Sequence, residues 1–400
     1  MELPPQILVL EAEPDTLGFA LYDAAEPVVE ARFRGAIREL GAGARFDLEH
    51  CPDGNGGSWR IEAGNPAQAV EELLRWLEQH PARPRLAAAG HRLIHGGELF
   101  TRPVPVNSGT LRQMDALVAL APVLLPPQLE ALRTLIEHRP GIPQVACFDT
   151  AFHHDLPMAE RHYAVPHAWQ DLGVRRYGFD GLACESIAEA LPERLGRAAD
   201  GRIVVVHLGR SASLCALHGR RSVAVTTGFS PLDGVPMATR SGAVDPGALL
   251  YLLDQGVEPR RLARELHFES GLKGLSGLSG DLRTLLASRQ PAARLAVDHF
   301  LHWVHRALGA MAAALGGLDA LVFTAGIGEN APRIRRRLCD LGNWLGLELD
   351  DEANLEGRGR ISPPHARPSV WVIASDPAAQ VARHTMRLTA PLIEETRPHG

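Results

Sequence analysis

The sequence predicts an α/β fold of two similar halves with a cleft between them. Three observations predict it: strand-like apolar runs alternate with segments of helical period, each half opens on a strand, a turn and a second strand, and no low-complexity linker interrupts the chain. Four hundred residues with 45% apolar content are ample for conventional cores.

The first half begins with "ILVLEAEPDTLGFALYD", an apolar run from Ile7, a polar crossing, and a second run ending at Asp23. It reads as a β-hairpin whose crossing carries Glu11, Glu13 and Asp15. "PAQAVEELLRWLEQH" has apolar residues at helical spacing. "RLAAAGHRLIHGG" is a strand-like run leading to His91, Arg92 and His95, and "QVACFDTAFHHDLP" is a buried strand ending in Asp149. The second half repeats the opening in "RIVVVHLGRSASLCAL". "LDALVFTAGIGENAPRIRRRLCDLG" runs from a buried strand through a glycine loop into a helix, and "EGRGRISPPHARP" reads as an exposed loop.

Composition removes several functions. A formal net charge of −6 and a pI near 6.3 leave no broad basic surface for nucleic acid. No window reaches the length of apolar residues that a membrane span needs, and "MELPPQ" lacks the features of a secretory signal, so the cytoplasm is the expected compartment. The five cysteines stand far apart and read as buried thiols. Lys273 is the only lysine, which excludes a Walker-type phosphate loop and itself reads as a surface residue. The bias toward Arg over Lys is what a GC-rich genome would give.

The chemistry is expected where strands end in glycines. In "TAGIGENAPRIR", Gly326 and Gly328 permit close backbone approach, and Asn330 is placed to cap the helix that Pro332 begins. Such a turn offers free N–H groups to an anion or nucleotide, although any tight strand-to-helix turn uses the same residues. Arg240, in "GVPMATRSGAVDPG", and Arg92 have the fork geometry for carboxylate or phosphate, or are turn residues. Asp149 suits a metal, a proton, or the cap of the helix after it.

Together, "HRLIHGGELF", "CFDTAFHHDLP", "RRYGFDG", "HLGRSASLCAL", "TGFSPLDGVPMATRSGAVDPG", "SGLKGLSGLSGDLR" and "LVFTAGIGENAPRIR" resemble, in order and spacing, the acetokinase family, over nearly the whole chain. The resemblance implies the two-lobed fold of the sugar kinase, Hsp70 and actin superfamily, with a duplicated βββαβαβα core closing on ATP and Mg²⁺. It implies a first lobe of residues 1–150 completed by a C-terminal helix at about 380–400, a nucleotide-binding lobe of 151–379, and a homodimer. The implied reaction passes the γ-phosphoryl of ATP to acetate, giving acetyl phosphate and ADP. Arg92 and Arg240 would hold the acyl phosphate and the transferring group, and Asp149 would act near the carboxylate or metal. His207, Gly209, Arg210, Gly326, Gly328, Glu329 and Asn330 would meet the nucleotide, and Leu93, Val123, Phe179 and Pro231 would line a small acyl pocket.

Several positions depart from the family's pattern. Its phosphate-cradling hairpin reads Asn, any residue, Gly, three serines, any residue, Lys; here those positions hold Glu11, Glu13, Pro14, Asp15, Thr16 and Gly18. A carboxylate repels a phosphate charge by about 1 kcal/mol at 4 Å in water and by more in a cleft. Pro14 also removes one N–H. Asp180 replaces a transition-state histidine, Leu124 and Leu125 stand for a histidine and an asparagine, Arg210 and Ser211 for Asn-Gly, Ala243 for an aspartate, and Pro377 and Ala378 for Glu-Glu, which includes the expected Mg²⁺ carboxylate. These residues predict impaired or altered phosphoryl transfer. The alternative is an inactive homologue serving as a ligand sensor or partner subunit. Compensation would come from Arg210 for the lost cation and from Glu11 or Asp15 for the metal.

Overall fold

The computed structural model describes residues 4–25, 30–41, 43–51, 54, 56–81 and 84–395, with side chains described to 390. The chain divides into two compact units, one of Met1–Ala151, Gly181–Ala183 and Asp376–Gly400, the other of Phe152–Asp180 and Cys184–Ser375.

The first unit holds a mixed sheet of β1 (Gln6–Glu13), β2 (Thr16–Asp23), β3 (Ala31–Arg38), β4 (Arg45–His50), β5 (Gly57–Arg60), β6 (Leu86–Leu93), β7 (Val104–Pro105) and β8 (Gln144–Phe148), in the order β5-β4-β3-β2-β1-β6-β8-β7. Period-two burial decides how it is covered. Leu8 and Leu10 of β1, with Phe19 and Leu21 of β2, pack against Leu73 and Leu77 of the helix Pro66–Gln79 and Leu135 of the helix Leu125–His138. Ile7, Val9, Ala20 and Tyr22 point the other way, onto Val381 and Ala382 of the helix Pro377–Glu395. The Pro66–Gln79 helix starts where Asn65 accepts from Gln68 N and Pro66 needs no N–H partner.

The second unit repeats this plan. Its strands are β9 (Ile203–Leu208), β10 (Ala212–His218), β11 (Arg221–Val225), β12 (Ala320–Thr324), β13 (Gly359–Arg360) and β14 (Ser369–Val372), in the order β11-β10-β9-β12-β14-β13. The core orders β3-β2-β1-β6-β8 and β11-β10-β9-β12-β14 are the same, so the duplication read in the sequence is present in the topology. Val204, Val206 and Leu208 pack on Phe300, Leu301 and Val304, whereas Ile203 and Val205 face Ile187 and Leu191.

Some expectations change. The C-terminal helix begins at Pro377 and is described to Glu395; 396–400 lie outside the described residues. Within "EGRGRISPPHARP", Gly359 and Arg360 form a strand on β14, and Ile361 and Ser362 are buried. The five cysteines are buried and form no disulfide, and Lys273 is exposed. Among the described residues no helix is long and apolar enough to cross a membrane.

Gly90 of β6 lies hard against the terminal helix. A Cβ there would overlap Thr385 Oγ1 and lie 2.6 Å from Val381 Cγ1. Gly90→Ala is therefore expected to cost about 1–3 kcal/mol of stability through overpacking. An unchanged urea midpoint would contradict the close approach.

Candidate active site

In the first unit, β1 and β6 run parallel, as do β6 and β8, and their carboxyl ends carry Glu11, Arg92 and Asp149. That is where open α/β sheets bind ligands. Asp149 is 2% exposed; Arg92 Nε donates to its Oδ1 and Oδ2 at 3.1 and 3.0 Å, and Arg92 Nη2 lies 2.9 Å from Oδ2. The same guanidinium places Nη1 3.6 Å from Glu11 Oε1.

Glu11 and Glu13 are strand residues, not turn residues, because only Pro14 and Asp15 form the crossing. The ladder sets Glu11 opposite Gly18 and Glu13 opposite Thr16. A Cβ on Gly18 would lie 3.6 Å from Glu11 Cβ and 4.0 Å from Glu11 Oε2. The carboxylate at position 11 and the side chain missing at position 18 are thus cross-strand neighbours on one face. Glu11 Oε1 is buried and takes no hydrogen bond, while the side chain as a whole remains 32% exposed. Burial raises the Glu11 carboxyl pKa, Arg92 pulls it down, and Asp149, Asp376 and Glu13 push it up again.

A pH prediction follows from that direction. Above the ordinary value of 4.5 and below the raised folded value, the folded chain holds a proton that the unfolded chain has lost, so this group's contribution to stability falls as pH rises through the window. Glu11→Gln removes the titration. Its stability relative to the parent is expected to improve from pH 4.5 upward and to level off below, read as urea midpoints across pH. A difference that does not vary with pH would contradict this.

Pro377 and Ala378 have a local cause. Asp376 Oδ1 accepts from Ala379 N at 2.9 Å and Asp376 O accepts from Gln380 N at 3.1 Å, so Asp-Pro-Ala is a helix start with Pro in its first turn. Arg34 Nη2 bridges Asp376 Oδ2 at 2.6 Å and the buried Tyr22 hydroxyl at 3.0 Å. Leu124 and Leu125 are buried, and Leu125 joins a core with Leu93, Leu129 and Phe148. Apolar side chains suit those positions better than imidazole and amide. Of the expected acyl pocket, Leu93 is thus a core residue and Val123 is partly buried in this unit; Phe179 and Pro231 are buried in the other.

In the second unit, His207 and Thr324 pair at the carboxyl ends of parallel β9 and β12. Gly209 N donates to Ser211 O at 2.7 Å, closing a tight turn that exposes Arg210. A Cβ on Gly209 would lie 3.5 Å from Ala325 Cβ, so this turn adjoins the start of the glycine segment. His207 Nδ1 is buried without a hydrogen-bond partner.

The glycine loop is itself a helical turn, Ala325–Asn330, entered through Ala325 at φ 65°. Glu329 Oε1 accepts from Ala325 N at 2.8 Å, so this carboxylate closes its own turn. Asn330 does not cap the Pro332–Leu341 helix: its Nδ2 donates to Gly326 O at 2.9 Å, and Ala331 stands at the cap without a side-chain bond. Gly326 has nothing within 4 Å of an added Cβ, whereas a Cβ on Gly328 would lie 3.5 Å from the Phe323 carbonyl carbon.

Arg240 is partly buried; its Nη1 lies 3.9 Å from Met237 Sδ, and its carbonyl accepts from Met237 N at 3.1 Å. Ala243 is exposed, its N–H on Gly234 O. Two residues were not legible as site residues. His267 is buried with Nδ1 unpartnered, and burial beside Arg240 pushes its pKa down to about 4. Arg335, fully buried, holds the end of the glycine turn through Gly328 O and Glu329 O at 2.8 and 2.7 Å. Asp180, read from the sequence as standing for a histidine, turns its carboxylate to Ser211 and Ser213.

The orphaned His207 Nδ1, the open face of Gly326 and the exposed Arg210 fit nucleotide phosphates. Among the described residues no three His, Cys, Asp or Glu gather as a metal-holding group. Mg²⁺ asks for only one or two carboxylates beside substrate phosphates, and Glu11, with a buried oxygen free of hydrogen bonds, is the residue that fits.

Residues 6–383 match the profile of the Acetokinase family. The chain belongs to the acetokinase family. An acetate kinase of Rhodopseudomonas palustris is 46% identical over 393 residues, covering 96% of this chain and 98% of that one. Among solved structures, a propionate kinase from Francisella tularensis superposes with a TM-score of 0.89 at 30% identity, covering 96% of this chain and 99% of its own. The Porphyromonas gingivalis acetate kinase gives 0.85 at 31%, with the same coverages. The chain therefore has the mixed α/β fold of those kinases and belongs to a family of phosphotransferases.

Proposed function

We propose that this protein moves the terminal phosphoryl group of ATP to a short carboxylate, giving an acyl phosphate and ADP, at a reduced rate. The Arg92–Asp149 pair at the carboxyl ends of parallel strands is the observation that carries the reading. Arg92 would hold the acyl phosphate end by its outward N–H groups, with Asp149 fixing the plane of the guanidinium. Arg240 would neutralise charge on the transferring group. His207, Gly209, Arg210, Gly326, Gly328 and Asn330 would receive the nucleotide, with Glu329 bracing that turn from within. Mg²⁺ arriving on the nucleotide phosphates would neutralise phosphate charge.

The reduced rate rests on Glu11 facing Gly18. A lysine restored alone at position 18 would meet the Glu11 carboxylate before any phosphate. We expect Gly18→Lys to change acyl hydroxamate formation from ATP, Mg²⁺ and acetate by less than about threefold, and the Glu11→Asn/Gly18→Lys double variant to exceed the product of the single effects by about tenfold or more. Multiplicative single effects would contradict the coupling. Propionate and butyrate in the same assay give the acyl length.

A second reading, a sensor or partner subunit that binds without turnover, is favoured by the same cross-strand pair and by the loss of acidic side chains at Pro377 and Ala378. Acetyl phosphate binding without hydroxamate formation would select it. A homodimer is supported by the helix Pro246–Asp254, which has no buried residue and leaves Leu250 and Tyr251 exposed. Cysteines outside any disulfide agree with a cytoplasmic setting.

A further inference from the structure

We propose that Asp180 is the positioning residue that holds the β9–β10 turn in its phosphate-receiving shape. The inference rests on the reading that this turn meets the nucleotide. Asp180 is buried and adopts φ 58°, in the left-handed region. It occupies the N-cap position of the helix Gly181–Leu195, where a carboxylate ordinarily bonds the first free N–H groups, yet it makes no side-chain cap bond. Oδ1 instead accepts from Ser211 Oγ at 3.1 Å, and Oδ2 accepts from Ser213 Oγ at 2.7 Å.

The two hydroxyls are not equivalent. Ser211 lies within the turn and closes it through its carbonyl on Gly209 N, and Ser213 is the β10 residue paired with His207. One carboxylate thus fixes both the turn and the rung beside the orphaned His207 nitrogen. A residue that leaves its own helix uncapped and accepts a left-handed backbone is held there by what its side chain binds. With both oxygens engaged by hydroxyls, Asp180 acts through the shape of the turn, and this is a role unlike that of the histidine expected at this position.

Substitutions separate tether, backbone and charge. Asp180→Asn keeps an acceptor, adds a donor for the second hydroxyl and tolerates the left-handed conformation. Asp180→Gly keeps the backbone and removes the tether; the Ser211→Ala/Ser213→Ala variant cuts the tether from its other end and guards against misfolding of the first. Nucleotide Kd by calorimetry with ATP and Mg²⁺, with KM and kcat, is the readout. We expect Asp180→Asn to stay within about threefold of the parent, and both tether-free variants to raise Kd and KM for ATP about tenfold with kcat changed less. Parent-like binding by Asp180→Gly, or a loss in Asp180→Asn equal to that in Asp180→Gly, would overturn the proposal. His207→Ala is the separate check on the site: if it leaves Kd unchanged, the nucleotide reading of this turn and the proposal fall together; if it weakens binding while Asp180→Gly does not, only the tether falls.

Discussion

Arg92→Ala is expected to lose phosphoryl transfer by about 10²–10³-fold, the range found when one preorganised donor is removed from a transition-state anion. The same substitution leaves Asp149, 2% exposed, without its guanidinium. Breaking a buried pair from one side costs about 3–5 kcal/mol, because the remaining charge is neither solvated nor neutralised. The two losses have different origins and can be parted. Adding Asp149→Asn to Arg92→Ala removes the stranded charge, so stability should recover by at least half while turnover stays lost. Joint recovery would mean that Arg92 only serves the pair and binds no acyl phosphate.

Arg335→Ala is expected to be the most destabilising change in the second unit. Its guanidinium donates to Asn354 Oδ1 and O and to the carbonyls of Gly328 and Glu329, with the side chain fully buried. Truncation strands these acceptors and opens a cavity, two mechanisms that together reach about 4–5 kcal/mol. For a unit of this size that corresponds to a fall in Tm of about 10 °C or more. The carbonyls it holds end the glycine turn, so nucleotide binding should weaken as well. A Tm within about 2 °C of the parent would show that the turn stands without this anchor.

The fold was legible because strand and helix periods differ and the chain repeats its opening: Ile7–Asp23 and Ile203–His218 became hairpins within two sheets that share one five-strand core order. Glycine chemistry was legible in kind but not in shape. "AGIGEN" reads as a loop, yet Glu329 and Asn330 satisfy backbone groups within the turn and make it helical. The acidic crossing of the hairpin was read too long at both ends: a Pro14-Asp15 turn suffices, which puts Glu11 on a strand opposite Gly18. Arg335 was hidden in "RIRRRL", where Arg336 and Arg337 reach acidic side chains and only the packing shows which arginine turns inward. The helix start at Asp376 explains Pro377 locally, a relation that needed Ala379 N to be seen.

The most direct test of phosphoryl transfer runs the reaction toward ATP: the purified chain is mixed with ADP, Mg²⁺ and acetyl phosphate and followed by ³¹P NMR. The proposed function predicts growth of the ATP β-phosphorus signal matched by loss of acetyl phosphate, slow in the parent and abolished in Arg92→Ala. Loss of acetyl phosphate to inorganic phosphate alone, at the same rate with and without the protein, would contradict it.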